Sequence, residues 1–190
     1  PVWTEYPFDD VSSQFYDGCI AYYYLTLHSL FADSHGVSEQ APKFSDPARN
    51  VYRFALPHIK QFCFPVGNEH VLNCVNRLKF IFFNGEAIFD STWRLFDERT
   101  RAMLANGITI QRKYIDCFTS HDIEMHVPTL RRHVYANRFS SGGQNIWTLY
   151  NGFYTTVRGP ILSIKHKEGA RYRDAWNDRE LKPRIENGKA

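Results

Sequence analysis

Glu5 stands between Trp3 and Tyr6 at the end of a short apolar run, Val2-Trp3-Thr4. A carboxyl at the mouth of a strand, flanked by aromatic rings, loses hydration. That favours its neutral, proton-donating form, the chemistry of a general acid. Asp9 and Asp10 follow closely. Either one caps the next helix, or supplies a second carboxylate or a polar contact to a ligand. Arg53 sits among apolar neighbours, and an Arg pointing inward pairs with a carboxylate. Glu86 opens another short apolar run and is either a salt-bridge partner or a ligand contact. The start of a strand is the wrong end of a parallel sheet for catalysis.

Other chemistries fit less well. His121, Asp122, Glu124 and His126 are metal-ligand types, but their spacing is not that of a helical zinc motif, so no metal is expected. No phosphate-binding glycine loop, nucleophile elbow or dinucleotide fingerprint occurs, so no cofactor is expected. The four cysteines are far apart and lie in apolar surroundings, which reads as buried free thiols. A formal net charge of +3, without a basic face, excludes a nucleic-acid partner. No apolar run reaches membrane-spanning length. Aromatic residues make up 16% of the chain, more than an ordinary core needs. The excess suits a site that stacks flat, weakly polar ligands such as sugar rings.

These residues need elements to position them. Val2–Thr4, Val51–Leu56 and Glu86–Phe89 read as strands. Ser12 or Ser13 to Phe31, Glu69 to Phe83, and Ser91 or Thr92 to Cys117 read as helices. The last is expected to break at Asn106-Gly107, and Asn84-Gly85 is expected to end the second, because both residues tolerate a left-handed backbone. Ala32–Asn50 is a long polar loop. Strands alternating with helices predict a parallel sheet with helices outside it. Three such units are too few for a whole barrel and fit the last units of a (β/α)8 barrel. After Pro128 the pattern becomes antiparallel β, with a hairpin at Ser140-Ser141-Gly142-Gly143. The fold class expected is therefore α/β plus all-β. Residues 1–127 form the C-terminal portion of a barrel, and residues 128–190 form the start of an antiparallel β-sandwich. The abrupt beginning, and an Asn187-Gly188 turn with no strand expected after it, read as an internal piece of a longer protein. Localisation, cytoplasmic or secreted, stays open.

Trp3-Thr4-Glu5-Tyr6-Pro7, Ser12-Ser13-Gln14, Asp17-Gly18 and Phe83-Asn84-Gly85-Glu86 resemble the C-terminal half of bacterial TIM-barrel glycoside hydrolases. Trp147 to Asn151, Thr155 to Gly159 and His166 to Gly169 are similar to the β-sandwich that follows such barrels. The resemblance implies a hydrolase fragment acting on carbohydrate, inactive without the rest of its parent polypeptide. Two carboxyl groups would flank the scissile bond, with Glu5 and Asp10 as candidates. Trp3, Tyr6, Asp9, Arg53 and Glu86 would contact substrate. The alternative is a non-catalytic carbohydrate-binding module derived from such a barrel, holding glycans on Trp3, Tyr6, Tyr22 and Trp93.

Overall fold

The computed structural model describes residues 2–4, 11–21, 47, 50–63, 71–88, 96–153 and 155–190. Strand β1 (Trp3–Thr4) leads to a 3-10 turn at Ser12–Phe15 and to β2 (Gly18–Ala21). Helix α1 (Val51–Ala55) precedes β3 (Lys60–Cys63), and helix α2 (Val71–Asn84) precedes β4 (Ala87–Ile88). The four strands form one parallel sheet in the order β1-β2-β3-β4. Helix α3 (Glu98–Lys113) packs on α2, and a short helix α4 (Ile115–Phe118) follows. Strands β5 (Asp122–Glu124), β6 (Val134–Ser141) and β7 (Gln144–Asn151) make an antiparallel sheet. β8 (Tyr172–Asp174) and β9 (Arg179–Leu181) form a separate antiparallel pair. The protein is a mixed α/β molecule with a parallel sheet and antiparallel sheets, as the two sequence patterns predicted.

Several elements differ from the sequence expectation. Val51–Leu56, read as a strand from its Val, Tyr and Phe, is helical over Val51–Ala55. Asn50 caps it, its Oδ1 accepting the Arg53 backbone N–H at 3.1 Å. The strand is Lys60–Cys63 instead, where polar Lys60 and Gln61 weakened the signal. The helix expected from Ser12 to Phe31 gives one 3-10 turn and then strand β2, hydrogen-bonded between β1 and β3. A short apolar run such as Cys19-Ile20-Ala21 cannot be assigned by periodicity alone. Gly18 decides it, since a Cβ there would lie 2.1 Å from the Trp3 ring.

The break expected at Asn106-Gly107 is absent, and α3 runs through it. Gly107 is there for packing. A Cβ on it would lie 2.1 Å from the Phe82 ring of α2. Asp97 starts α3, its carboxylate accepting the Thr100 N–H at 2.7 Å. The residues after Asn187-Gly188 also find backbone partners, in isolated bridges of Lys189 with Glu186 and Lys165. The turn closes between Glu186 and Lys189, and Ala190 exchanges both backbone hydrogen bonds with Ile164, at 2.9 and 3.0 Å. The hairpin of β6 and β7 turns on Gly142-Gly143, both with positive φ, as expected.

The core lies between α2, α4 and the antiparallel sheet. Leu78, Ile81 and Phe83 of α2 are buried, with Cys117 and Phe118 of α4 and Val134, Ala136 and Phe139 of β6. The Tyr150 ring sits 5.6 Å from Phe80 and 5.7 Å from Phe83.

Helix α2 ends in a Schellman cap. Glu86 N–H donates to the Ile81 carbonyl and Gly85 N–H to that of Phe82. Gly85 has φ of 64°, and a Cβ on it would meet the Phe139 ring at 2.6 Å. Replacing Gly85 by Ala adds left-handed strain of about 1–2 kcal/mol to overpacking of about 1–3 kcal/mol. Gly107→Ala meets only the overpacking, offset by about 1 kcal/mol of helix propensity. Urea unfolding is expected to find Gly85→Ala the more destabilised of the two, and Gly107→Ala destabilised despite its better propensity.

Candidate functional site

Glu5, Asp10, Tyr6 and Asp9 lie outside the described residues, as do Tyr22 and Trp93. Glu5 follows directly on Thr4, where β1 ends. Trp3 packs its ring over Gly18 and edge-on against Phe62 at 4.8 Å, and stays 45% exposed. Asp17 is structural. Its carboxylate accepts the Val2 N–H at 2.7 Å, and its own N–H donates back to the Val2 carbonyl. That ladder sets the start of β1 against β2.

Arg53 and Glu86 come together, away from Trp3, in an enclosed polar cluster near the N-terminal ends of β3 and β4. Glu86 is wholly buried and Arg53 nearly so. One Glu86 carboxylate oxygen accepts from Asn50 Nδ2, and the other accepts the Cys63 thiol at 3.0 Å. Asn50 Nδ2 also reaches Gln61 Oε1 at 3.3 Å, and Asn50 N–H donates to Asn84 Oδ1 at 3.1 Å. Arg53 spends its donors on backbone, on the carbonyls of Gly85 and Phe118, with its guanidinium 5.5 Å over the Phe139 ring.

The electrostatics follow from dryness. Burial pushes the Arg53 guanidinium below its ordinary range, and the Glu86 charge pushes it back up. Burial pushes the Cys63 thiol well up, with the Glu86 charge and hydrogen bond adding to it. The Cys19 thiol is pushed up to about 11, first by burial and then by Glu86. Thiols held in the protonated form are poor nucleophiles at neutral pH. Cys19, Cys63 and Cys117 are free and buried. The cluster can fix strand ends and hold two opposite charges away from water.

Two of the four residues that invited a metal reading, Asp122 and Glu124, are engaged with an arginine. They hold Arg138 across β5 and β6, at 2.9 and 3.2 Å. His126 donates its backbone N–H to Asn137 Oδ1 at 2.9 Å.

Comparison with protein-family models, with curated proteins and with solved structures finds no match.

Asn50, Gln61, Cys63 and Asn84 carry the cluster with Glu86; sequence reading gave Cys63 only as a buried free thiol and Asn84 only as a cap, and singled out neither Asn50 nor Gln61. They come from separate segments, and nothing in their spacing joins them. A second carboxylate was also passed over. Asp90 stands two positions beyond Ile88, past the same end of β4 as Glu5 occupies on β1.

Two measurements check this account. Alkylation of the native protein is expected to spare Cys19, Cys63 and Cys117 and to label all three on unfolding, read by peptide mass spectrometry. Glu86→Gln puts an amide N–H₂ where two donors need an acceptor, which costs about 1–3 kcal/mol. Urea unfolding at neutral pH is expected to show that loss. Unchanged stability with altered ligand binding would make Glu86 a contact instead.

Proposed function

We propose that this chain is part of a glycoside hydrolase: the last units of a (β/α)8 barrel followed by the start of a β-sandwich. It acts on a carbohydrate by carboxylate acid/base chemistry and needs no cofactor. The observation that carries the reading is the strand order. Four parallel strands follow in sequence without reversal. Crossovers between parallel strands are right-handed, so an unreversed order sends every connection to the same side of the sheet. The other side is then buried by closing the sheet on itself, as in a barrel. A doubly wound sheet reverses its order at a switch point.

In a barrel, chemistry belongs at the C-terminal ends of the strands. Glu5 follows the end of β1 there, with Trp3 and Tyr6 beside it to shed water from its carboxyl and to stack on a sugar ring. Asp10, Asp90 or a residue elsewhere in the parent polypeptide supplies the second carboxyl. Retaining chemistry needs the pair about 5 Å apart, and inverting chemistry about 6.5–9.5 Å. The exposed ring of Trp3 also favours a second reading, a binding module without catalysis.

Glu5→Gln separates the cases. The amide is nearly isosteric and donates no carboxylic proton. If Glu5 is the general acid, turnover of natural glycosides by the full-length protein falls by about 10²–10⁴. Aryl glycosides, whose leaving groups need little protonation, are less affected. If Glu5 is the nucleophile, both substrates fail together. A fully active variant with a lowered melting temperature removes Glu5 from the site.

A further inference from the structure

The loop from β5 to β6 walls a cleft of about 290 Å³, lined among others by His126, Pro128, Arg131, Arg132, His133 and Tyr135. No acidic side chain lines it. Arg138, Arg173, Arg179 and Arg184, elsewhere in the antiparallel half, each hold a carboxylate. Arg131 and Arg132 hold none. Arg131 leans on the Arg158 carbonyl at 3.4 Å, and Arg132 makes no hydrogen bond or ion pair among the described residues.

The wall is fixed in place. Thr129 Oγ1 donates toward the Val134 carbonyl at 2.7 Å, and Leu130 N–H donates to the Ile161 carbonyl at 2.7 Å. The loop is flanked by His126 and His133, with φ of 58° and 56°. A left-handed backbone disfavours residues with a Cβ, and such strain collects where a side chain is wanted in place. The rings are held as well. That of His126 lies 5.5 Å from Tyr135, and that of His133 stands edge-on to Phe153 at 5.5 Å.

We propose that this cleft binds a small molecule through an oxyanion group, gripped by Arg132 with Arg131 beside it. A guanidinium presents planar, paired donors that match a carboxylate or phosphate, and a pre-positioned wall lowers the ordering needed on binding. The Tyr135 and Pro128 surfaces suit the apolar face of a compact ring. The cleft is at the small end of ligand sites, which limits the ligand to about one sugar-sized unit. This inference stands apart from the glycosidase reading, because the cleft shares no residue with the parallel sheet.

Calorimetric titration of the full-length chain with D-glucuronate, D-glucose and inorganic phosphate tests it. Saturable binding of glucuronate without glucose is expected. Saturation by phosphate and not by glucuronate keeps the oxyanion site and makes phosphate its source. Arg132→Gln is expected to weaken the bound anion at least about tenfold, or 1.4 kcal/mol, with an unchanged melting temperature. Arg171→Gln, outside the cleft lining, leaves it unchanged. Glucose binding as tightly as glucuronate, full affinity in Arg132→Gln, or no saturable binding of any anion overturns the proposal.

Discussion

The parallel and antiparallel sheets are joined at the C-terminal end of helix α2. A helix end leaves carbonyls without intrahelical partners, and burying them unpaired is expensive. This end is buried: Asn84 and Glu86 have no exposed surface. The backbone resolves part of the problem through the Schellman bonds of Gly85 and Glu86. The remainder is met from afar. Asn137 and Thr148 of the antiparallel sheet both donate to the Phe83 carbonyl, at 2.9 and 2.5 Å. Arg53 donates to Gly85, and Gln111 of α3 to the Glu86 carbonyl at 2.7 Å. One helix terminus thus ties α1, α3, β6 and β7 to the parallel sheet. The bonds are directional, so they fix orientation where apolar contact alone would permit sliding.

That hub was half legible. Asn84-Gly85 announces a helix end through its own backbone preferences, which are local. So do Gly142-Gly143 and the alternation of β6 and β7. The alternation of parallel and antiparallel regimes was readable for the same reason. What the sequence hid was the set of donors, because partners separated by tens of positions leave no periodic mark. Local signals also misled where tertiary contacts overrode them. Val51-Tyr52-Arg53-Phe54 has the composition of a strand, yet Asn50 caps it into a helix that aims Arg53 at two carbonyls. Gly107 has the composition of a break, yet it exists for the Phe82 ring to lie against α3. For the candidate site, Arg53 was visible as a charge among apolar neighbours, whereas Val2-Trp3-Thr4 read as a buried strand and Trp3 is in fact exposed. An inward Arg was expected to pair with a carboxylate, whereas Arg53 gives its donors to two backbone carbonyls and feels Glu86 only through its charge.

The parallel sheet divides its labour by direction. Glu86, Gln61 and Asn50 crowd the starts of β3 and β4, where their hydrogen bonds are dry, although the Gln61 amide nitrogen is buried without a partner among the described residues. Buried polar networks of this kind specify one arrangement better than they stabilise it, because their desolvation offsets much of their attraction. The opposite ends lead into Glu5 after β1 and Asp90 after β4. Carboxylates used in catalysis have to meet water and substrate, and they cannot be locked by the bonds that hold Glu86. Glu86, enclosed and engaged on both carboxylate oxygens, is a structural carboxylate.

The antiparallel half is more than an appendage on this account. Its strands supply two of the donors to α2, and the Phe139 ring covers Gly85 while Arg53 lies over that same ring. Removing β6 and β7 would expose the Phe83 carbonyl, uncover Gly85 and leave the Arg53 charge without its aromatic neighbour. The network around Glu86 would then face water on one side, and its reason for excluding alternatives would weaken. Placement of the strand starts, and through them the direction in which the opposite ends point, therefore depends on a sheet that contributes no strand to the parallel one.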